Sequence, residues 1–293
     1  MWDFLNYLII GVLVGSIYGL IALGFVIINK ATGVLNVAQG GLVMMGAFIC
    51  FFFSVQLGLP FFPAVLLTLV TSFFLGMILD RILFRPMVGQ PELGVVMMTI
   101  GLLWLLDGIV VFIWGPENYS YPKVLPSHPI VIKGMLFTHE LLWSFITAAV
   151  MTTALLLFFR FSRIGVDMRA VADDQQAAQA AGVSVKYTFS LAWGIGNVVA
   201  AVGGILFGVI AFVFFGLGFI GMKVLPVVIL GGLESIGGAI AAGVIVGVLE
   251  NLAGAYLEPY LKGIKEVAPF FILILILVIK PHGLFGLKRI ERI

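Results

Sequence analysis

The feature that most constrains this chain is a series of long apolar runs, at residues 7–28, 41–57, 62–83, 94–114, 141–159, 188–215, 222–250 and 267–279, with charge largely confined to the gaps. A bilayer-spanning helix needs about 20 mostly apolar residues, whereas a membrane barrel strand alternates over about ten. Continuous runs predict helices, because only a hydrogen-bond ladder within the segment satisfies the backbone in lipid. Charged residues make up 10% of the chain, against roughly 25% in soluble domains. A water-soluble fold is thereby excluded. The expected fold is all-α, a polytopic transmembrane bundle of about 8–10 segments filling residues 1–293 as one domain, with no length left for a catalytic domain. The first residues carry Asp3 and no Lys or Arg, unlike a signal peptide, so the first run is read as a retained helix.

Basic residues orient the bundle. Arg160, Arg163, Arg169 and Lys186 fall in the 160–187 loop, Arg81 and Arg85 follow the third run, and Lys280, Lys288, Arg289 and Arg292 mark the tail, so all three are expected to be cytoplasmic. The 115–140 loop, with Pro116, Pro122, Pro126 and Pro129, is expected outside as an ordered cap. From the 160–187 loop to the tail the chain must then cross an even number of times, yet three runs are visible. Residues 215–250, rich in glycine, are therefore expected to form two short helices broken near 231–235. The 36 glycines lie mainly within the apolar runs and favour close helix approach.

Three stretches can carry function. Residues 165–182, GVDMRAVADDQQAAQAAG, read as one short surface helix closed by Gly182. Arg169, Asp173 and Gln176 share a face at spacings of four and three, beside a smooth face of Ala170, Ala177 and Ala181. Such a face fits a groove on a soluble partner; a solvated connector is the competing reading. Residues 35–41, LNVAQGG, interrupt the apolar pattern before a run: Asn36 and Gln39 can hydrogen-bond an amino acid, and Gly40 and Gly41 permit close backbone approach. A helix-capping turn accounts for them equally. Asn197, Pro226, Gly231 and Gly232 can line a pathway where broken helices expose backbone groups, with tight packing of small residues as the alternative. Among intramembrane acids, Asp107, Glu234 and Glu250 sit towards segment ends or breaks, where the cost of charge is least.

The run MRAVADDQQAAQAAGV resembles the coupling loop of bacterial ABC importer permeases. GVLNVAQGGLVMMGAF at 33–48, LPVVILGGLESIGGAIAAGVIVGVLE at 225–250 and KPHGLFG at 280–286 resemble the LivH-type branched-chain amino acid permeases, with Glu234 standing where the pattern has glycine. The resemblance implies a multi-pass protein of the bacterial inner membrane that passes amino acids delivered by an extracytoplasmic binding protein. It further implies ABC ATPase subunits docked on Arg169–Gly182 and a second homologous permease subunit completing the pore.

The chemistry of the sequence agrees with a transport subunit. The nearest approach to a phosphate loop, GLGFIGMK at 216–223, lacks the Gly-Lys-Ser/Thr ending. The histidines, His128, His139 and His282, and the single cysteine, Cys50, show no metal-ligand spacing, so no metal, cofactor or catalytic residue is expected. A formal charge of +2 gives no basis for nucleic-acid binding. A proton-coupled secondary transporter is the alternative function, although it would normally pair buried ionisable groups and Asp107 has no evident partner in the sequence.

Overall fold

The computed structural model describes residues 2–123, 125–126, 128–132, 135–280 and 283–286. Lys288, Arg289, Arg292 and His282 lie outside the described residues. The helices follow the apolar runs: α1 (Trp2–Thr32), α2 (Gln39–Phe51), α3 (Phe61–Leu79), α4 (Glu92–Trp114), α5 (His139–Phe161), α8 (Val185–Ile210), α10 (Ile236–Tyr256) and α11 (Ile264–Ile279). Between α5 and α8 lie the short helices α6 (Arg163–Asp173) and α7 (Gln175–Ala180), and before α10 lies α9 (Gly218–Gly231). Proline marks the entries to α3 and α4, at Pro60 and Pro91, where a residue without an N–H sacrifices no helix bond. Two helices run on through single π turns, α2 through Phe52–Gln56 and α3 through Asp80–Phe84.

Seven of the described helical segments are long and apolar enough to cross a membrane, and the chain is a multi-pass membrane protein. The expected break after residue 231 is present: α9, of 14 residues, stops at Gly231 and α10 starts at Ile236 behind the N-cap Ser235. The turn lies at the basic end of the bundle, since Ile236 borders the same cleft as Lys30, Arg160 and Arg169. There too the start of the tail returns, with Leu284 N donating to Leu230 O at 2.7 Å. Helices α8, α9, α10 and α11 thus run in alternating directions, four in all, as the basic loops require. At the opposite end the described residues of the 115–138 segment pack over the bundle. Tyr119 and Val213 exchange backbone hydrogen bonds of 2.8 Å, Tyr121 Oη donates to Ala47 O at 2.9 Å, and a small hairpin pairs Ile130–Ile132 with Met135–Phe137. Between α10 and α11, Glu258 accepts from Gly263 N and Lys265 N, which holds its carboxyl below the usual glutamate range.

Helices α1, α2 and α8 form the buried centre, while α3, α4 and α5 expose most of their surface. Outward apolar residues are what lipid contact demands, so the inner faces are marked by small or polar residues instead. In α3 the buried positions are Ala64, Thr68, Ser72 and Gly76, four residues apart. Helices α1 and α10 run antiparallel with their backbones in contact. A Cβ added at Gly11 would meet Val248 Cα at 2.6 Å, and one at Gly15 would meet Gly243 O at 2.6 Å.

Gly40 packs against Gly218 and Gly221 of α9 so closely that a Cβ there would collide with the Gly218 carbonyl, whereas Gly101 on the outer face of α4 meets nothing within 4 Å. Gly40→Val is therefore expected to lose at least about 1–3 kcal/mol through overpacking against backbone that has nowhere to move. Gly101→Ala should stay within about 0.5 kcal/mol of the parent chain. Membrane abundance and thermal unfolding in detergent read both; equal behaviour of the two variants would show that the α2–α9 contact is not tightly formed.

Candidate functional site

Past Thr32 the chain turns back between helices instead of leaving the bundle. Thr99 of α4 secures this interruption, accepting from Val37 N at 3.2 Å and donating within reach of Leu35 O at 3.3 Å. Helix α2 then begins with Gln39, Gly40 and Gly41 already buried. Asn36 is fully buried and Gln39 is 2% exposed, and Asn36 Nδ2 donates to Gln39 Oε1 at 3.1 Å. That bond leaves Asn36 Oδ1 and Gln39 Nε2 without a partner among the described residues. A free acceptor thus stands close to a free donor, both withdrawn from solvent, where an unmade hydrogen bond costs about 1–3 kcal/mol.

The first turn of α9 crosses at the same place. Gly40 touches Gly218 and Gly221, Gly41 faces Leu103 and Leu106, and Asp107 of α4 presents Oδ1 3.3 Å from where a Gly218 Cβ would stand. Asp107 Oδ1 also lacks a partner among the described residues. The beginnings of two interrupted helices, α2 and α9, therefore meet at Gly40, with Asp107 beside the start of α9. Helix N-termini carry partial positive charge and attract anionic groups, as interrupted membrane helices do for substrates.

The other pathway candidates lie elsewhere. Asn197 donates from Nδ2 to Ser72 O at 2.7 Å and packs over Gly76, fastening α8 to α3. Its neighbour Gly196 faces Gly24 of α1, where Gln39 Nε2 also lies, while the Asn197 amide itself is turned to α3. Pro226 is buried inside α9, and Gly231 lies against Gly238 across the break. Gly232 takes φ +95°, which only glycine adopts without strain, and approaches Gly286. These residues close the α9–α10 turn at the basic end, remote in sequence and position from the Asn36 site.

An ion group escaped the sequence reading. Lys223 of α9 lies 2.9 Å from Glu250 Oε1 of α10 and 2.6 Å from Glu266 Oε2 in the first turn of α11. The side chain of Glu250 is 4% exposed, so it is a buried carboxylate held by a counter-ion that is itself 15% exposed. Lys223 closes the stretch GLGFIGMK, where attention to phosphate-loop glycines hid it; a lysine inside an apolar run was the available signal. A second brace ties α3 to α8. Arg85 Nη2 donates to Ser190 Oγ at 2.9 Å and lies 3.5 Å from Asp80, which Ser190 also contacts.

The 165–182 stretch is two helices, which corrects the single helix expected. Asp174 breaks it: in extended conformation, its Oδ1 accepts from Gln176 N at 2.8 Å and Ala177 N at 2.9 Å, so Asp174 caps α7. The face drawn through Arg169, Asp173 and Gln176 is therefore divided. Ser162 caps α6 in the same way, through Gly165 N at 2.9 Å. Arg169 Nη1 donates to Phe159 O at the end of α5, while Ala170 packs beside the buried cluster of Val171, Ala178, Val185 and Phe189. Asp173, Ala177, Ala181 and Gly182 remain exposed. Gly182 takes φ +88°, with Gly182 N bonded to Gln179 O and Val183 N to Ala178 O, the paired bonds of a left-handed helix stop. Helix α7 thus presents glutamine and alanine outward on a base fixed to the start of α8.

A family profile described as branched-chain amino acid transport system permease component matches residues 7–279. The chain is 29% identical to the high-affinity branched-chain amino acid transport system permease protein BraD of Pseudomonas aeruginosa, over 100% of this chain and 99% of that protein. It is 31% identical to LivH of Salmonella typhimurium and 30% identical to LivH of Escherichia coli, over 99% of this chain and 98% of each relative.

Proposed function

This chain belongs to the branched-chain amino acid transport permease family, and from that membership we infer that it is the membrane-spanning subunit of an ATP-driven importer that carries branched-chain amino acids into the cytoplasm. The observation that carries the substrate reading is the Asn36–Gln39 pair, with one free acceptor and one free donor at the buried start of α2, where Gln39 Nε2 faces Gly24 of α1. An amino-acid zwitterion needs both when it leaves water. Its ammonium is suited to Asn36 Oδ1, its carboxylate to Gln39 Nε2 and the start of α2, and its branched side chain to Leu103 and Leu106 beside Gly41. Amides supply these bonds without the cost of an isolated buried charge.

Energy coupling is assigned to the exposed surface of α7 with Asp173, Ala177, Ala181 and Gly182, which would seat in an ABC ATPase subunit. Arg169 and Ala170 hold that surface to the bundle. A second, homologous permease subunit would complete the pore, and a substrate-binding protein would dock on the 115–138 cap outside the bacterial inner membrane. The separation of basic residues at one end of the bundle from the cap at the other supports that orientation.

The test is leucine uptake into vesicles holding the chain with its co-purified ATPase subunits and binding protein. Uptake should require ATP and survive collapse of the proton gradient. Asn36→Ala and Gln39→Ala should each lower uptake about tenfold or more, the usual worth of a hydrogen bond to a charged group, at unchanged membrane abundance. Full uptake in the Asn36→Ala/Gln39→Ala double variant would return the pair to helix capping, and uptake driven by a proton gradient alone would overturn the importer reading.

A further inference from the structure

A cleft of about 390 Å³ opens between α1, α5, α6 and the start of α10 at the basic end of the bundle. Three cations from three helices line it: Lys30 in the last turn of α1, Arg160 in the last turn of α5, and Arg169 of α6. Among the described residues none of the three has a carboxylate within 4 Å. Arg169 spends one donor on Phe159 O, and Arg160 stands 5.3 Å from the centre of the Phe161 ring, so most of their N–H groups remain free. The rest of the wall is apolar, including Ile27, Leu156 and Met168. Leu156 is exposed on α5, a helix that turns most of its surface outward, so the cleft is continuous with the face that meets acyl chains.

We propose that this cleft binds the headgroup of an acidic phospholipid from the cytoplasmic leaflet, its phosphate held by Lys30, Arg160 and Arg169 and its first acyl carbons lying on Ile27 and Leu156. Converging guanidinium and ammonium donors match phosphate oxygens, and basic pockets between membrane helices on this side are sites for anionic headgroups. A free phosphate would use the cations and leave the apolar wall without purpose. The lipid would bridge α5 to α1 at the point where α6 departs for the coupling surface. The proposal is independent of which solute is carried, because its readout is bound lipid.

The chain is purified with its partner subunits in mild detergent and exposed to phosphatidylglycerol or phosphatidylcholine. Retained lipid is counted by native mass spectrometry and phosphorus analysis. The parent should hold about one phosphatidylglycerol per chain in preference to phosphatidylcholine. The Lys30→Gln/Arg160→Gln variant should bind it about 30-fold more weakly, from roughly fivefold per cation. The charge-conserving Lys30→Arg/Arg160→Lys variant should retain it, which separates loss of charge from damage to the fold. Equal retention by the neutral variant would overturn the proposal, as would displacement of the lipid by millimolar inorganic phosphate or equal uptake of phosphatidylcholine.

Discussion

Lys223→Met is expected to destabilise the chain by about 3–5 kcal/mol, the usual cost of leaving one member of a buried ion pair without its counter-ion. Glu250 bears that cost, with a side chain only 4% exposed and Lys223 at 2.9 Å. Glu266 contributes little to it. Its side chain is 65% exposed, and solvated pairs of this kind are worth about 0–1 kcal/mol. Three variants separate these contributions by thermal unfolding in detergent. Lys223→Met should fall far below the parent, Glu266→Gln should stay near it, and Lys223→Met/Glu250→Gln should recover most of the loss because no buried charge remains. A double variant as unstable as Lys223→Met alone would mean that Lys223 acts by packing its stem and not by neutralising Glu250. The pair joins α9 to α10, so a recovered double variant that transports normally would also show that the ions fix structure and do not move solute.

The second large effect is expected at the coupling surface, where the Ala177 variants should leave stability unchanged. Ala177 is exposed in this chain, so Ala177→Trp or Ala177→Asp meets only solvent until a partner covers it. Against a fitted groove the added bulk is expected to cost about 1–3 kcal/mol, or roughly tenfold to a hundredfold in assembly. Gly182→Val acts by another route. At φ +88° a β-branched residue is strained, so the stop of α7 and the entry to α8 should shift together. Uptake and substrate-stimulated ATPase activity, measured in reconstituted vesicles at matched abundance, should fall in all three variants. Either the ATPase subunit is lost or it remains and hydrolyses ATP without transport. Wild-type values for both activities would make 165–182 a solvated connector.

Much of this architecture was legible because lipid simplifies the code. Long apolar runs, the basic loops and the even number of crossings they impose led to a helix break at 231–235, and α9 ends at Gly231. The stop at Gly182 was equally readable, since an alanine run followed by glycine has one usual outcome. Which side of each helix faces inward was harder to read. A helix apolar all round gives no amphipathic stripe, so the signal in α3 was the spacing of Ala64, Thr68, Ser72 and Gly76. Asp174 was absorbed into a continuous helix because propensity summed over neighbouring alanines outweighed one capping residue. The pairing of Lys223 with Glu250, 27 residues apart, and that of Asn197 with Ser72, 125 apart, depend on which helices become neighbours. No local pattern encodes that choice.

The backbone contact of α1 with α10 bears on the voltage that the surrounding bilayer must sustain. Gly11, Gly15 and Gly19 interleave with Gly243 and Gly247, so main chain rests on main chain with no side chains between. Protons cross membranes along continuous files of water, and a water needs both room and polar partners. Helical backbone groups already bonded within their own ladders offer few such partners, and interleaved glycines leave little room. This joint therefore acts as insulation, letting the bundle bring polar groups such as Asn36 and Gln39 into its interior without opening a parallel leak beside α1.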